Sequence, residues 1–346
     1  MKIFYGVQGT GNGHITRARE MAKAFMEAGV EVTYLFSGRE AARYFDMDIF
    51  NVYEVRTGLT FHTRNGDVSY IKTALDARPI NFIKEIKTLD FCDYDLVLSD
   101  FEPVTAWAAK LRNKKTLGIG HQYAFNYRIP REGGDFLAER VMKYFAPTRQ
   151  NIGLHWHHFG QPILPPIIAA HEPPPQSVAN KILVYLPFEE PLEVIKILMP
   201  FKGHDFFIYT PMKIVSPSAH IKIRPLSRGG FQKDLHDCAG ILSNAGFELV
   251  SEALLLGKKI MVKPLHSQME QISNAVALKQ LGYGREMNEL NPKAIAHWLE
   301  NPHRVRVTYP NVAKILVRWM LDGMPPIEDD FIEKSWSTVD VLHLNQ

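Results

Sequence analysis

Cysteines, long apolar runs and net charge are all scarce in this sequence, and each shortage excludes a class of protein. Two cysteines in 346 residues cannot form the disulfide framework of a small secreted protein, so a reducing compartment is expected. No run of about 18 apolar residues occurs, and the first residues lack the apolar stretch of a secretory signal. A net charge of +3 is too small to indicate nucleic-acid binding. We therefore expect a cytoplasmic protein.

What the sequence does contain is an alternation of strand and helix patterns in each half. Apolar runs predict one set of strands at residues 2–7, 30–37, 95–100 and 115–120, and a second set at 181–187, 205–210, 221–226, 239–244 and 259–265. Helical patterns separate many of these runs. We therefore predict an α/β fold of two Rossmann-like, doubly wound parallel-sheet domains that face a cleft.

A change in composition near residue 160 marks the border between the halves. Six prolines fall within residues 160–180, and proline fixes the backbone and removes a hydrogen-bond donor, as suits a linker. The predicted domains are residues 1–160 and 181–320, joined by a proline-rich linker at 161–180. Residues 321–346 are expected to form a helical tail, and packing back on the first domain is one arrangement for it.

A glycine-rich loop, Gly9-Thr-Gly11-Asn-Gly13, follows the first predicted strand and leads directly into His14. The dinucleotide fingerprint needs a glycine where His14 stands and an acidic residue at the end of the second strand, where this chain has Ser37-Gly38. The Gly-Lys-Ser/Thr of a P-loop is absent as well. The loop therefore predicts neither an NAD site nor a P-loop.

The position of His14 suggests a different use for this loop. Glycines let the backbone at Gly11, Asn12 and Gly13 approach a ligand closely, and the following helix N-terminus favours an anion. A histidine that faces the cleft there is suited to act as a general base near neutral pH. The alternative is a helix-capping or packing histidine, and the glycine context favours the base.

A second turn, Ser243-Asn-Ala-Gly-Phe247, lies between a predicted strand and the helical segment that contains Glu252. Its helix N-terminus is suited to a pyrophosphate. A later predicted helix presents Glu270 and Gln271, whose side chains can bond sugar hydroxyls. On their own these two residues are more typical of a solvated helix face.

Both loops together resemble the inverting glycosyltransferases of the GT-B fold, which include the peptidoglycan enzyme that adds N-acetylglucosamine to lipid I and the UDP-sugar transferases. The relatives carry G-x-G-H before a helix, which "GNGH" matches, and a carboxyl-terminal signature that "SNAGFELVSEALLLG" and "EQISNA" match. The chain is similar to the uncharacterised archaeal and bacterial members of that superfamily.

The resemblance implies a nucleotide-sugar donor, with UDP-sugar as the expected donor, in the second domain and a hydroxyl acceptor in the first. It implies His14 as the base and Asp100, after "DLVLS", as the residue that orients it. The expected donor contacts are Ser243, Asn244, Ala245, Gly246, Phe247, Glu252, Glu270 and Gln271. The expected acceptor side comprises Gly11, Asn12, Gly13, His121 and Gln122. For Asp100 a strand-end cap, and for His121 and Gln122 plain loop structure, are the alternatives.

Departures from the family pattern bear on mechanism. Retaining relatives usually carry Glu-x7-Glu ending at the ribose glutamate, and neither Asn244 nor Ala245 at the start of that spacing is acidic, which favours inversion. "YLPFEEPLE" replaces a glycine-rich loop, and Glu189 and Glu190 in it suit the start of a helix. The two Asp-x-Asp matches, at residues 46–48 and 93–95, belong to a motif of another glycosyltransferase fold. We expect no cofactor and no required metal.

Two other functions fit the same architecture: an isomerase like the UDP-N-acetylglucosamine 2-epimerases, and a non-catalytic nucleotide-sugar binder. The acceptor is not identified by the sequence. Residues 56–87 mix basic and apolar side chains. This composition allows a lipid-linked acceptor and peripheral contact with the inner face of the cell membrane, although an ordinary loop and amphipathic helix fit it better.

Overall fold

The computed structural model describes residues 1–59, 63–64, 67–68, 79–134, 136–169 and 177–345. Parts of two segments singled out in the sequence, residues 56–87 and the predicted linker, therefore lie outside the described residues. The described chain forms two α/β domains, each built on a parallel sheet.

The first domain is a seven-stranded parallel sheet with helices packed on it. In sheet order its strands are β3 (Tyr53–Arg56), β2 (Glu31–Ser37), β1 (Lys2–Gln8), β6 (Leu96–Asp100), β7 (Thr116–Gly120), β8 (Gln150–Leu154) and β9 (Ile163–Leu164). A short antiparallel pair, β4 (Thr63–Arg64) and β5 (Asp67–Val68), follows β3. The helices are α1 (Asn12–Glu27), α2 (Pro79–Thr88), α3 (Pro103–Leu111) and α4 (Phe136–Tyr144).

The second domain repeats this plan with a six-stranded parallel sheet. Its strands, in sheet order, are β12 (Ile221–Arg224), β11 (Asp205–Tyr209), β10 (Val178–Tyr185), β13 (Cys238–Ser243), β14 (Lys259–Val262) and β15 (Arg285–Glu286). Its helices are α5 (Pro191–Leu198), α6 (Arg228–Asp237), α7 (Phe247–Leu255), α8 (Met269–Gln280) and α9 (Pro292–Glu300). The predicted fold class is confirmed.

The central strand β1 shows why these sheets are parallel and covered on both faces. Ile3, Phe4, Tyr5 and Val7 are all buried, as expected for a strand with helices on both sides. The strand order reverses beside β1 and β6 in the first sheet and beside β10 and β13 in the second. Ligands bind at such switch points, at the carboxyl ends of the strands.

The carboxyl-terminal segment crosses between the domains. Strands β16 (His303–Thr308) and β17 (Asp340–Asn345) form an antiparallel pair, and β16 contacts α7 and β14 of the second domain. Between them, α10 (Val312–Leu321) packs on α1 and α11 (Asp329–Trp336) on β9 of the first domain. The sequence had indicated helices in this region but not the strand pair.

The domain limits in the structure differ from the predicted ones. Strand β9 belongs to the first sheet although its residues fall in the predicted linker, and β10 begins at Val178. Helix α10 packs on the first domain, although nearly all of its residues fall in the range predicted for the second domain. Helix α1 begins at Asn12, with Gly11 at its N-cap position.

Candidate active site

The two switch points face one cleft of about 410 Å³, which residues of both domains line. His14 and Gln122 reach it from the first domain, and Phe247, Glu252 and Glu270 reach it from the second. This volume lies within the range of small-molecule sites. The structure therefore brings the two predicted loops together at one site.

His14 and Asp100 form a close pair at the carboxyl end of the first sheet. His14 Nδ1 lies 2.7 Å from Asp100 Oδ1, and the Asp100 side chain is fully buried while the His14 side chain is 15% exposed. Burial alone would raise the pKa of Asp100, but Arg17 and His14 lower this pKa by more. The pKa therefore lies below its ordinary value of 3.8. Asp100 is therefore ionised at neutral pH. It can fix the histidine tautomer.

Arg17 completes this arrangement, and the sequence analysis did not identify it. Its Nε donates to Asp100 Oδ2 at 2.7 Å and its Nη2 donates to Oδ1 at 2.6 Å. Burial alone would lower the pKa of Arg17, but Asp100 and Glu248 raise it above its ordinary value. Arg17 lies three residues after His14, one turn along α1. This spacing was the sign in the sequence that Arg17 lies on the same face of the helix as His14.

Glu248 is the second residue that the sequence analysis missed. It lies in the first turn of α7, is 8% exposed, and accepts a hydrogen bond at Oε1 from Arg17 Nη1 of the other domain. Burial raises the pKa of Glu248 to about 8, with Arg17 opposing and Asp100 adding to the rise. A carboxyl group that is largely neutral near pH 7 thus lies beside the His14–Asp100 pair.

The three glycines before His14 meet different neighbours. A Cβ atom at Gly9 would clash with the Tyr44 hydroxyl, and one at Gly13 would lie 2.8 Å from Glu248 Cγ. Nothing stands within 4 Å of the corresponding position at Gly11. Gly9 and Gly13 are therefore required by packing, and Gly11 leaves space at the cleft beside an N-terminus without a side-chain cap.

The turn at residues 243–247 ends β13 and begins α7, whose N-cap Gly246 makes no side-chain cap bond. The first N–H groups of α7 are thus available to a ligand. Several buried polar atoms around the cleft have no hydrogen-bond partner among the described residues, and buried polar groups are normally paired. These atoms are Gln122 Oε1, Ser243 Oγ, Asn244 Oδ1, Glu248 Oε2 and Gln268 Oε1.

The side chain of Asn244 is held through its amide nitrogen. Its Nδ2 donates to the Lys263 carbonyl at 2.9 Å and lies 3.4 Å from Glu189 Oε1. Lys263 Nζ pairs with the same Glu189 oxygen at 2.7 Å. Glu189 therefore pairs with a buried lysine beside the turn, and helix α5 begins only after Glu190.

Glu252 lines the cleft from the second domain as a buried carboxyl group. Gln232 Nε2 donates to its Oε2 at 2.9 Å. Burial raises the pKa of Glu252 to about 7, while the Gln232 bond and the charge of Arg228 lower it. Near it, Phe231 packs edge to face against Tyr185, with ring centroids 5.3 Å apart. These aromatic rings line the cleft and were not identified from the sequence.

Glu270 and Gln271 are neighbours in α8 but have different surroundings. Gln122 Nε2 of the first domain lies 3.1 and 3.2 Å from the two Glu270 oxygens. The Gln271 amide oxygen accepts from the Leu265 backbone N–H at 3.1 Å. Its carbonyl end is therefore held within the second domain, and its amide nitrogen can reach a ligand.

His121 lies at the interface of the two domains and is 1% exposed. Its Nδ1 is 2.8 Å from the Leu154 carbonyl oxygen and its Nε2 is 2.6 Å from Asn274 Oδ1. Its ring stacks on Phe247 at 4.0 Å, and burial lowers the pKa of His121. His121 therefore joins the domains, whereas His14 is the histidine that is partly open to the cleft.

The described residues contain no group of three His, Cys, Asp or Glu side chains arranged to hold a metal ion. Over the same residues, no helix has the length and hydrophobicity that a membrane span requires.

The family model described as glycosyl transferase family 1 matches residues 1–302. An uncharacterized glycosyltransferase of Methanosarcina acetivorans is 29% identical over 139 residues, which are 38% of this chain and 35% of that protein. The chain therefore spans only about a third of that relative.

Solved structures share the fold at low identity. The glycotransferase of kitacinnamycin is 13% identical, with a TM-score of 0.60 over 96% of this chain and 98% of its own. The spinosyn rhamnosyltransferase SpnG, complexed with thymidine diphosphate, is 12% identical, with a TM-score of 0.55 over 94% and 98%. The predicted resemblance to GT-B glycosyltransferases is confirmed.

Proposed function

The chain belongs to glycosyl transferase family 1, and we propose that it transfers a sugar from a nucleoside diphosphate sugar to a hydroxyl acceptor, with His14 as the base. The observation that carries the proposal is the His14–Asp100 pair, 2.7 Å apart, on the same cleft as the uncapped N-terminus of α7. The His14–Asp100 pair supplies a base, and the helix N-terminus supplies hydrogen-bond donors for the leaving diphosphate.

In the proposed reaction the acceptor oxygen attacks the anomeric carbon as the bond from that carbon to the phosphate oxygen breaks. His14 Nε2 takes the proton of the acceptor hydroxyl, and Asp100 stabilises the resulting imidazolium through Nδ1–H. The nucleoside diphosphate leaves with the bonding electrons. Backbone N–H groups of the first turn of α7, beginning with Phe247, stabilise its charge. Attack opposite the leaving group inverts the anomeric carbon.

The donor is proposed to lie along the second domain. The Glu252 carboxyl group is suited to accept hydrogen bonds from ribose hydroxyls, and Tyr185 and Phe231 offer apolar faces for a base. Glu270 is positioned for the transferred sugar, at the boundary with the acceptor side. We expect the donor to carry a uridine base, and we expect the reaction to require no metal.

The experiment that tests the donor site is thermal unfolding with UDP, TDP, GDP, ADP and NAD, on wild type and Glu252→Ala. A ligand at 100 times its dissociation constant should add about 2.7 kcal/mol to the free energy of unfolding. We expect one nucleoside diphosphate to stabilise the wild type, and Glu252→Ala to weaken that effect. Stabilisation by NAD alone, or by none of the diphosphates, would contradict the proposal.

The chemical step is tested with the stabilising nucleotide as its sugar conjugate. We expect His14→Gln to abolish transfer while it leaves diphosphate binding within threefold of wild type. Incubation without acceptor separates transfer from the alternative epimerase activity, because an epimerase would convert the donor to its isomer under that condition. Acceptors presented in vesicles and in solution distinguish a lipid-linked hydroxyl from a soluble one.

A further inference from the structure

We propose that Arg17 is a positioning residue that holds Asp100 against His14, and that its bond to Glu248 makes this arrangement depend on closure of the two domains. The inference rests on the proposed function, in which His14 is the base. It assigns roles to two buried residues that the proposed reaction does not use.

The first step of the argument is the geometry around Asp100. Arg17 occupies both carboxylate oxygens with a fork of two bonds, at 2.7 and 2.6 Å. Such paired bonds fix the plane of a carboxylate far better than a single bond does. Because Asp100 is completely buried, no solvent competes with this fork. The orientation that Asp100 offers to His14 is therefore the one that Arg17 imposes.

The second step concerns the proton on His14. Arg17 Nη2 lies 3.0 Å from His14 Nδ1, and a guanidinium nitrogen can only donate. Both this nitrogen and His14 Nδ1 contact Asp100 Oδ1, and an ionised carboxylate oxygen can only accept, so His14 Nδ1 carries a hydrogen that is directed at that oxygen. This tautomer leaves Nε2 without a proton. Arg17 and Asp100 together thus select the form of His14 that can act as a base.

The third step links this cluster to the other domain. Arg17 Nη1 donates to Oε1 of Glu248, which is 231 residues away and belongs to the first turn of α7. The Arg17 side chain is 2% exposed and that of Glu248 9% exposed. Separation of the domains would remove this acceptor and admit water to the guanidinium. The fork on Asp100 would then no longer be the only arrangement available to Arg17.

Gly13 supports the same conclusion independently. The Glu248 side chain passes so close to Gly13 that an added Cβ would lie 2.8 Å from its Cγ. The missing side chain at Gly13 therefore leaves the space through which the Glu248 side chain of the second domain reaches Arg17. A methyl group there should displace Glu248 from Arg17 without changing any polar group.

The test is a spectroscopic signature that does not need turnover. In protein with ¹⁵N-labelled histidine, the Nδ1–H of His14 should give a far-downfield, slowly exchanging proton signal, which His14→Gln identifies. We expect Arg17→Met and Glu248→Met to lose this signal or weaken it more than fivefold. Glu248→Gln, which keeps the acceptor oxygen, should retain it. Arg19→Met is the matched control, since Arg19 is a buried arginine of α1 that bonds to the Phe45 and Asp46 carbonyls.

Kinetics supply the second readout. Arg17→Met should lower kcat at least tenfold while the dissociation constant of the diphosphate changes less than threefold. The double variant with Glu248→Met should be no slower than Arg17→Met alone, because Glu248 acts through Arg17. Should Arg17→Met fail to fold, Arg17→Lys decides, because a lysine keeps the charge but cannot form the fork and should still lower kcat.

An unchanged signal in folded Arg17→Met or Arg17→Lys would overturn the inference, as would additive effects in the double variant. The proposed function fails differently. If no donor is turned over by wild type but the His14 signal depends on Arg17 and Glu248 as described, the positioning role stands and the assigned reaction is wrong.

Discussion

Replacement of Glu252 by glutamine should make the protein more stable at neutral and alkaline pH. Glu252 is 5% exposed, and the Gln232 amide donates a hydrogen bond to its carboxyl group. Burial raises the pKa of Glu252 to about 7 from an ordinary value of 4.5. The folded protein therefore holds a proton that the unfolded chain has already released. Glutamine has nearly the same shape and carries no ionisable proton.

The sign and size of the effect follow from proton linkage. As pH rises from 4.5 towards 7, the unfolded state binds fewer protons than the folded state, so the free energy of unfolding falls. Each tenfold change in a protonation constant is worth about 1.4 kcal/mol, so the difference between 4.5 and about 7 costs the wild type about 3 kcal/mol. Below pH 4.5 this cost disappears, because both states are protonated.

The assay is chemical unfolding of wild type and Glu252→Gln at half-unit steps from pH 4.5 to 8.5. The difference between the two proteins should grow by about 3 kcal/mol in favour of the variant across this range and then level off. The same substitution at the exposed Glu333 provides a control that should follow the wild type. Parallel curves for wild type and Glu252→Gln would refute the reasoning, because the burial of Glu252 would then carry no cost for its charge.

Two further predictions concern stability. Glu102 accepts bonds from the Val104 and Thr105 N–H groups and from Ser37 Oγ, so Glu102→Ala should lower the free energy of unfolding by about 2–3 kcal/mol. In urea unfolding Glu102→Gln should cost less, and equal losses would show that the cap bonds contribute little. Trp336 Nε1 donates to the Ile163 carbonyl at 2.7 Å, so Trp336→Phe should cost about 1 kcal/mol. An unchanged urea midpoint for Trp336→Phe would contradict this assignment.

The main features of the fold could be predicted because nine of the sheet strands carry a local signal, whereas the outer strands β3, β8, β9 and β15 were not predicted. Apolar runs marked the strands, and the break after each run marked the edge of the sheet where the cleft lies. The antiparallel pair β16 and β17 was missed because two helices separate its strands in sequence. The sequence of neither strand indicates its partner, because the pairing depends on contacts that form only after the helices have packed.

The candidate site was only partly predictable, and the reason is distance along the chain. His14 and Asp100 were paired through a family resemblance. The bond between Arg17 and Glu248 has no signal in the sequence, because it joins residues 231 positions apart. Local sequence could not show that Gln271 turns its carbonyl oxygen towards the Leu265 N–H. Side-chain direction at the cleft is set by the packing of the two domains, not by spacing.

The path of the chain between the domains limits how the cleft can open. The chain crosses from the first sheet to the second between Leu164 and Val178, crosses back between Thr308 and Val312, and returns between Trp336 and Asp340. Thr308 and Asp340 are paired in one ladder, so the last two crossings leave the second domain at one place. The segment 309–339, which carries α10 and α11, is therefore tied to the second domain at one end of this strand pair. A movement of the first domain away from the second would therefore pull on both ends of this segment at the same place.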